Sequence, residues 1–156
     1  MSKKLVAYFS ASGVTAKLAK KLAEAIDADL FEIKPVEPYS EADQNWKNPL
    51  ARCNKEKIGK KDVPVSGIVE NMDEYDTVYL GFPIWYWAAP NVVNTFVKQY
   101  DFSHKKVVLF ATSGGSDMRK TAEKLQPFLG IEAEIVDAKV KNENPSLKAL
   151  KAWAVY

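Results

Sequence analysis

Five strand-forming segments separated by helical stretches run through this chain, and they are of two kinds. Residues 5–9, 77–82 and 107–111 are mostly unbroken apolar runs, as expected of strands covered by helices on both faces. Residues 30–34 alternate, with Phe31 and Ile33 on one face and Glu32 and Lys34 on the other. Residues 131–136 alternate too, with Ile131, Ala133 and Ile135 opposing Glu132 and Glu134. Alternation marks a strand with one partly wet face, so the second and fifth strands belong at the edges and the first inside. With right-handed crossovers, the simplest order that satisfies this is 2-1-3-4-5. The expected architecture is α/β, a three-layer, doubly wound, five-stranded parallel sheet formed as a single domain over residues 1–156.

The helices between the strands are read from their spacing. Residues 15–27 place Leu18, Leu22 and Ile26 on one face, with Lys17, Lys20, Lys21 and Glu24 outward. Pro90 is placed at the first position of the helix after the third strand. A further helix starts near Ser116 or Asp117, buries Met118, Ala122 and Leu125, and stops around Gly130. Asn144 and Pro145 then cap a last helix whose inward side carries Leu147, Leu150 and Trp153.

Composition narrows the function. A net charge of +2 over 156 residues calls for neither nucleic acid nor an anionic membrane surface. Lys55, Lys57, Lys60 and Lys61 read as a solvated face. Cys53 is the only cysteine, which excludes an internal disulfide and points to a reducing cytoplasm. His104, the single histidine, precedes the fourth strand. These residues offer no metal site and no catalytic triad. The apolar stretch at residues 78–90 is interrupted by proline and too short to span a bilayer. Lys3 and Lys4 before an apolar run look superficially like a leader, but Lys17, Lys20 and Lys21 follow too closely.

The unusual residues fall where strands end. In a 2-1-3-4-5 sheet the one reversal of order lies between strands one and three, and ligands bind beyond the carboxyl ends of strands at such a point. After strand one comes Ser10-Ala11-Ser12-Gly13-Val14-Thr15-Ala16. Three hydroxyls and a glycine stand where a helix begins, and there unpartnered N–H groups and the helix dipole favour an anion. The loop lacks the lysine of a nucleoside-triphosphate cradle and the three spaced glycines of a dinucleotide fingerprint. It suits a terminal phosphate monoester; an ordinary N-cap cluster is the alternative. After strand three comes Pro83-Ile84-Trp85-Tyr86-Trp87-Ala88-Ala89-Pro90, whose three adjacent aromatics cannot all point into one core. After strand four comes Thr112-Ser113-Gly114-Gly115-Ser116, where small residues let backbone amides approach a polar ring edge. Together the three loops describe a slot for a flat ring with a phosphate tail.

These loops resemble those of the flavodoxins, and the resemblance covers nearly the whole chain. The Ser10 to Ala16 segment is similar to their Ser/Thr-x-Ser/Thr-Gly-x-Thr loop, which holds the phosphate of FMN. Gly81-Phe82-Pro83-Ile84-Trp85-Tyr86 looks like their second loop, in the form found in small bacterial flavodoxins, with an aromatic lining the flavin. Thr112-Ser113-Gly114-Gly115-Ser116 resembles the third loop, which meets the isoalloxazine edge. Flavodoxin is itself a type example of the 2-1-3-4-5 order, so that order and the resemblance are not independent arguments. What the resemblance implies is FMN held by residues 10–16, 83–86 and 112–116, with redox partner proteins or a small-molecule acceptor. Two features depart from it. Many electron-carrying flavodoxins are strongly acidic whereas this chain carries +2, and residues 35–65 exceed a minimal crossover.

Three functions follow. The first is an FMN protein in low-potential electron transfer, for which no catalytic acid or base is needed. An apolar slot containing Trp85 and lacking adjacent cations would disfavour added negative charge on the ring and lower its potential. The second is an FMN enzyme taking hydride from NAD(P)H to reduce quinones or similar acceptors. The third is a flavin-free binding module on the same scaffold.

Overall fold

In the computed structural model the described residues are 3–10, 13–36, 47, 51, 63–84, 89–112, 119–130, 132–140 and 145–154. Their elements, in chain order, are β1 (Lys3–Tyr8), α1 (Val14–Ile26), β2 (Asp29–Glu32), β3 (Lys34–Pro35) and β4 (Val65–Ser66). A 3-10 turn at Met72–Glu74 leads into β5 (Tyr75–Pro83), and α2 (Asn91–Lys98), β6 (Lys106–Thr112), α3 (Arg119–Leu129), β7 (Glu134–Val140) and α4 (Leu147–Trp153) complete them. The main sheet runs β2-β1-β5-β6-β7, all parallel, which is the 2-1-3-4-5 pattern with both alternating strands at its edges.

The period of two along each inner strand divides the core between two helical layers. Leu5, Ala7 and Phe9, with Val78, Leu80, Phe82, Val107, Leu109 and Ala111, pack against Val92, Val93, Phe96 and Val97 of α2 and Leu125 and Leu129 of α3. Val6, Tyr8, Tyr79, Val108 and Phe110 face the other way, onto Leu18, Ala19, Leu22 and Ala23 of α1 and Leu150 of α4. This is why the middle of each inner strand is apolar on both faces, with Lys3, Asp76 and Lys106 confined to the exposed starts. Burying a side chain such as Leu22 contributes about 1.5–3 kcal/mol. Gly81 has a packing reason rather than a ligand reason. Its strand partner is Phe110, and a Cβ on Gly81 would lie 2.2 Å from the Phe110 Cζ.

Four expectations are corrected. The fifth strand of the main sheet runs over Glu134–Val140 rather than residues 131–136. Gly130, at φ +95°, starts a reversal that Ala133 N closes on Gly130 O at 3.4 Å, so Glu132 and Ala133 lie before the strand. The register with β6, Lys106 against Glu134, sets the start. Pro90 is the N-cap of α2 rather than its first residue, because its ψ of 150° is extended. In α4 the cap is Ser146, whose Oγ accepts from Ala149 N at 3.1 Å. Leu147 is 40% exposed, since a seven-residue helix buries one narrow stripe, here Leu150 and half-buried Trp153. Met118, expected inside α3, and Cys53 and the lysines at 55, 57, 60 and 61 lie outside the described residues.

The long segment after β2 leaves and returns at one place. Lys34 pairs with Ser66 and Pro35 with Val65, antiparallel, and Val36 N donates to Pro64 O at 2.9 Å. Among the described residues, no helix is long and apolar enough to cross a membrane.

Candidate functional site

Where β1 ends, Phe9 is buried and its N–H donates to Gly81 O at 2.9 Å, tying the chain to β5 at the reversal of strand order. The backbone then turns through Gly13, the N-cap of α1, at φ +92° and ψ −11°. A Cβ at Gly13 would meet nothing within 4 Å, so the requirement for glycine is conformational, not spatial. Gly13 N donates to Ser10 Oγ at 3.0 Å, and Lys17 N closes the first turn on Gly13 O at 3.2 Å. Ser10 thus uses its oxygen locally and keeps its hydroxyl proton to donate. Among the described residues no side chain caps α1, and its first turn carries no acidic residue. The positive end of the helix dipole and the first-turn N–H groups are therefore not neutralised from within the helix.

Two threonines join this helix start to a distant strand. Thr15, in the first turn of α1, and Thr112, the last residue of β6, are 2% and 8% exposed. Their Oγ1 atoms lie 2.9 Å apart, in a hydrogen bond that either can donate. The Thr112 carbonyl accepts from Ile84 N at 2.9 Å, and Thr112 pairs with Pro83 across the sheet. One residue thereby touches the segment after β1 through its side chain and the segment after β5 through its backbone.

Of the residues expected to form the site, Ser10, Gly13, Val14, Thr15, Ala16, Pro83, Ile84 and Thr112 are described, and all lie at the carboxyl ends of β1, β5 and β6. Val14 is 54% exposed at the rim, whereas the Ile84 side chain packs into the core. Ala11, Ser12, Trp85, Tyr86, Ser113, Gly114, Gly115 and Ser116 lie outside the described residues. The Tyr8 phenol, beneath this end of the sheet, is held above its ordinary pKa by burial and then by the Glu32 carboxylate, so it stays neutral.

The residues present fit a phosphate monoester. A glycine-started, uncapped helix, a serine with a spare proton and a buried threonine pair supply donors and dipole without a cation. The threonine pair is what sequence reasoning missed. Both residues lay in loops singled out for the ligand, but nothing local links positions so far apart in the chain. His104 lies at the opposite end, exposed, with φ +64° and its Nε2 3.6 Å from Glu132 Oε2. Among the described residues, no three His, Cys, Asp or Glu side chains gather to hold a metal ion.

Comparison with known proteins gives the kinship of the chain and of its fold. The family model described as flavodoxin matches residues 3–155. A flavoprotein from Bacteroides eggerthii DSM 20697 is 39% identical over 98% of this chain and 96% of its own, with a TM-score of 0.91. One from Bacteroides uniformis ATCC 8492 is 38% identical over 97% of each chain, with a TM-score of 0.90. A flavoprotein from Lactobacillus acidophilus NCFM, crystallised in complex with FMN, is 24% identical over 90% of this chain and 93% of its own, with a TM-score of 0.73. No curated protein matches the chain significantly.

Proposed function

The chain belongs to the flavodoxin family, and on that premise we propose that it binds FMN at the carboxyl ends of β1, β5 and β6 and serves low-potential electron transfer. FMN as the cofactor is supported by the family and by the Lactobacillus acidophilus neighbour in complex with it. The observation that carries the reading is the uncapped, glycine-started α1 with the Ser10 hydroxyl and the Thr15–Thr112 pair at the reversal of strand order. When bound, FMN supplies the redox chemistry. The chain's own part is to bind and orient it. Ser10, Thr15 and the first-turn amides of α1 take the phosphate, with Thr112 behind Thr15; residues 83–86 and 113–116 take the ring, and Trp85 or Tyr86 packs on its face. Electron transfer asks no side chain to act as acid or base.

A hydrogen bond from a hydroxyl to a charged phosphate contributes about 1.5–3 kcal/mol, so FMN is expected to bind far more tightly than riboflavin in a fluorescence titration. Equal affinities would remove the phosphate site from the assignment. The near-neutral charge and the long segment between β3 and β4 favour a second reading, an FMN enzyme that oxidises NAD(P)H and passes electrons to quinones or similar acceptors. Anaerobic stopped-flow mixing with NADPH and with NADH separates the two. A carrier is bleached slowly or not at all; rapid bleaching by either nucleotide, without an added reductase, moves the protein to the enzyme class. The partners, redox proteins or a small-molecule acceptor, follow from whichever holds.

A further inference from the structure

Resting on the phosphate-site reading above, we infer that Thr112 is a positioning residue whose hydroxyl donates to Thr15 Oγ1 and thereby directs the Thr15 proton at the bound phosphate. The argument is one of proton count. As the dianion that prevails at neutral pH, a phosphate monoester is an acceptor only, so a hydroxyl that faces it must donate to it. Thr15 has one hydroxyl proton. With that proton on the phosphate, the 2.9 Å bond between the two Oγ1 atoms can be made only by the proton of Thr112. The chain of donation then runs Thr112 to Thr15 to phosphate, and each bond polarises the next.

Thr112 is built to hold this direction. It closes β6, pairs with Pro83, and carries a β-branched side chain whose χ1 is restricted and which is 8% exposed. Its carbonyl is engaged separately by Ile84 N. The rigid end of a central strand therefore sets the geometry of a hydroxyl on the first loop, in a site whose loop offers no lysine to attract phosphate from any direction. Thr112 acts on the phosphate through Thr15 and not by touching it.

The test is titration of wild type, Thr112→Val and Thr112→Ser with FMN and with riboflavin. Loss of the hydroxyl in Thr112→Val should weaken FMN about five- to ten-fold and change riboflavin by less than about two-fold, the scale of one hydrogen bond. Thr112→Ser, which keeps the hydroxyl, should hold the wild-type FMN-to-riboflavin ratio. In a Thr15→Val background, Thr112→Val should add little, because the relay is already broken. Should Thr112→Val not fold, Thr112→Ala reads the same ratio. Equal weakening of both ligands, unchanged FMN affinity, or full additivity with Thr15→Val overturns the relay. A wild type that cannot tell FMN from riboflavin overturns the phosphate-site reading and the relay with it. An FMN-to-riboflavin ratio in Thr112→Val equal to that of a discriminating wild type overturns the relay alone.

Discussion

At the amino ends of the strands polar groups are consumed by one another, whereas at the carboxyl ends they are lined up and left able to donate. At the amino end Tyr75 Oη donates to Asp29 Oδ2 at 2.6 Å, joining β5 to the edge strand β2. Lys105 Nζ donates to Met72 O at 3.1 Å and to Tyr75 O at 2.6 Å. Asn71 Nδ2 and Lys3 Nζ both donate to Glu74 Oε2, at 3.0 and 3.2 Å. Cations meet acceptors and acids meet donors within the chain. At the carboxyl ends of β1 and β6, by contrast, hydroxyls stand beside helix-start amides, with a glycine where a capping side chain would stand. One end closes the fold; on the proposed reading, the other receives an anion. The same parallel sheet permits both because all its strands point the same way, so the two sets of loops are segregated by topology.

The largest effect lies between the ends. Gly81→Ala forces a Cβ against the Phe110 ring, in a central strand pair where neither backbone can move freely. A loss of about 1–3 kcal/mol is expected from such overpacking, read as a lowered midpoint in urea unfolding. An unchanged midpoint would mean that the sheet centre yields, and that the two ends are less rigidly separated than the core implies.

A smaller effect is expected from Tyr75→Phe, about 1 kcal/mol, because Asp29 remains exposed and can turn to water. FMN affinity should not change, in contrast with the Thr112 variants. This variant also has a pH signature. Burial, then the bond to Asp29, raises the Tyr75 pKa above its ordinary value of 10.0. The folded state holds this proton more firmly than the unfolded chain does. Its contribution is complete below pH 10.0 and is lost as the pH rises through the raised folded value. Tyr75→Phe should flatten part of the alkaline limb of stability, leaving the part due to Tyr8, which is raised in the same direction. A change in FMN affinity, or an unaltered alkaline limb, would break the division between the ends.

The smallest effect belongs to Glu74, which is fully exposed. Its bond from Asn71, then its bond and attraction to Lys3, lower its pKa. That contribution is present above the unfolded glutamate value and fades as the pH falls through the lowered folded one. Glu74→Gln should shift the acid limb of thermal melting slightly, the more so at low salt, because the Lys3 pair is solvent-exposed. A shift independent of salt would point to Asn71 alone as the partner that matters.

Much of this was legible in the chain. Unbroken apolar runs and two alternating strands determine which strands are inside and which are edges, because burial on one face or two is written at a period of two. The helix-start loop from Ser10 to Ala16 is legible for a similar reason, since hydroxyls, glycine and helix onset are neighbours in sequence. The tertiary structure decided what depends on distant residues meeting. The start of β7 follows its register against β6, which no pattern within residues 131–136 contains. The exposure of Leu147 follows from which side of a short helix meets Tyr79, whose ring lies 6.3 Å from that of Trp153. Gly81 is required by an aromatic ring on the next strand, and Thr15 acquires its partner 97 residues away only when β6 is laid beside β5. Local patterns record how one segment meets water; the bonds that align a site are made between segments, and their geometry exists only once the sheet has assembled.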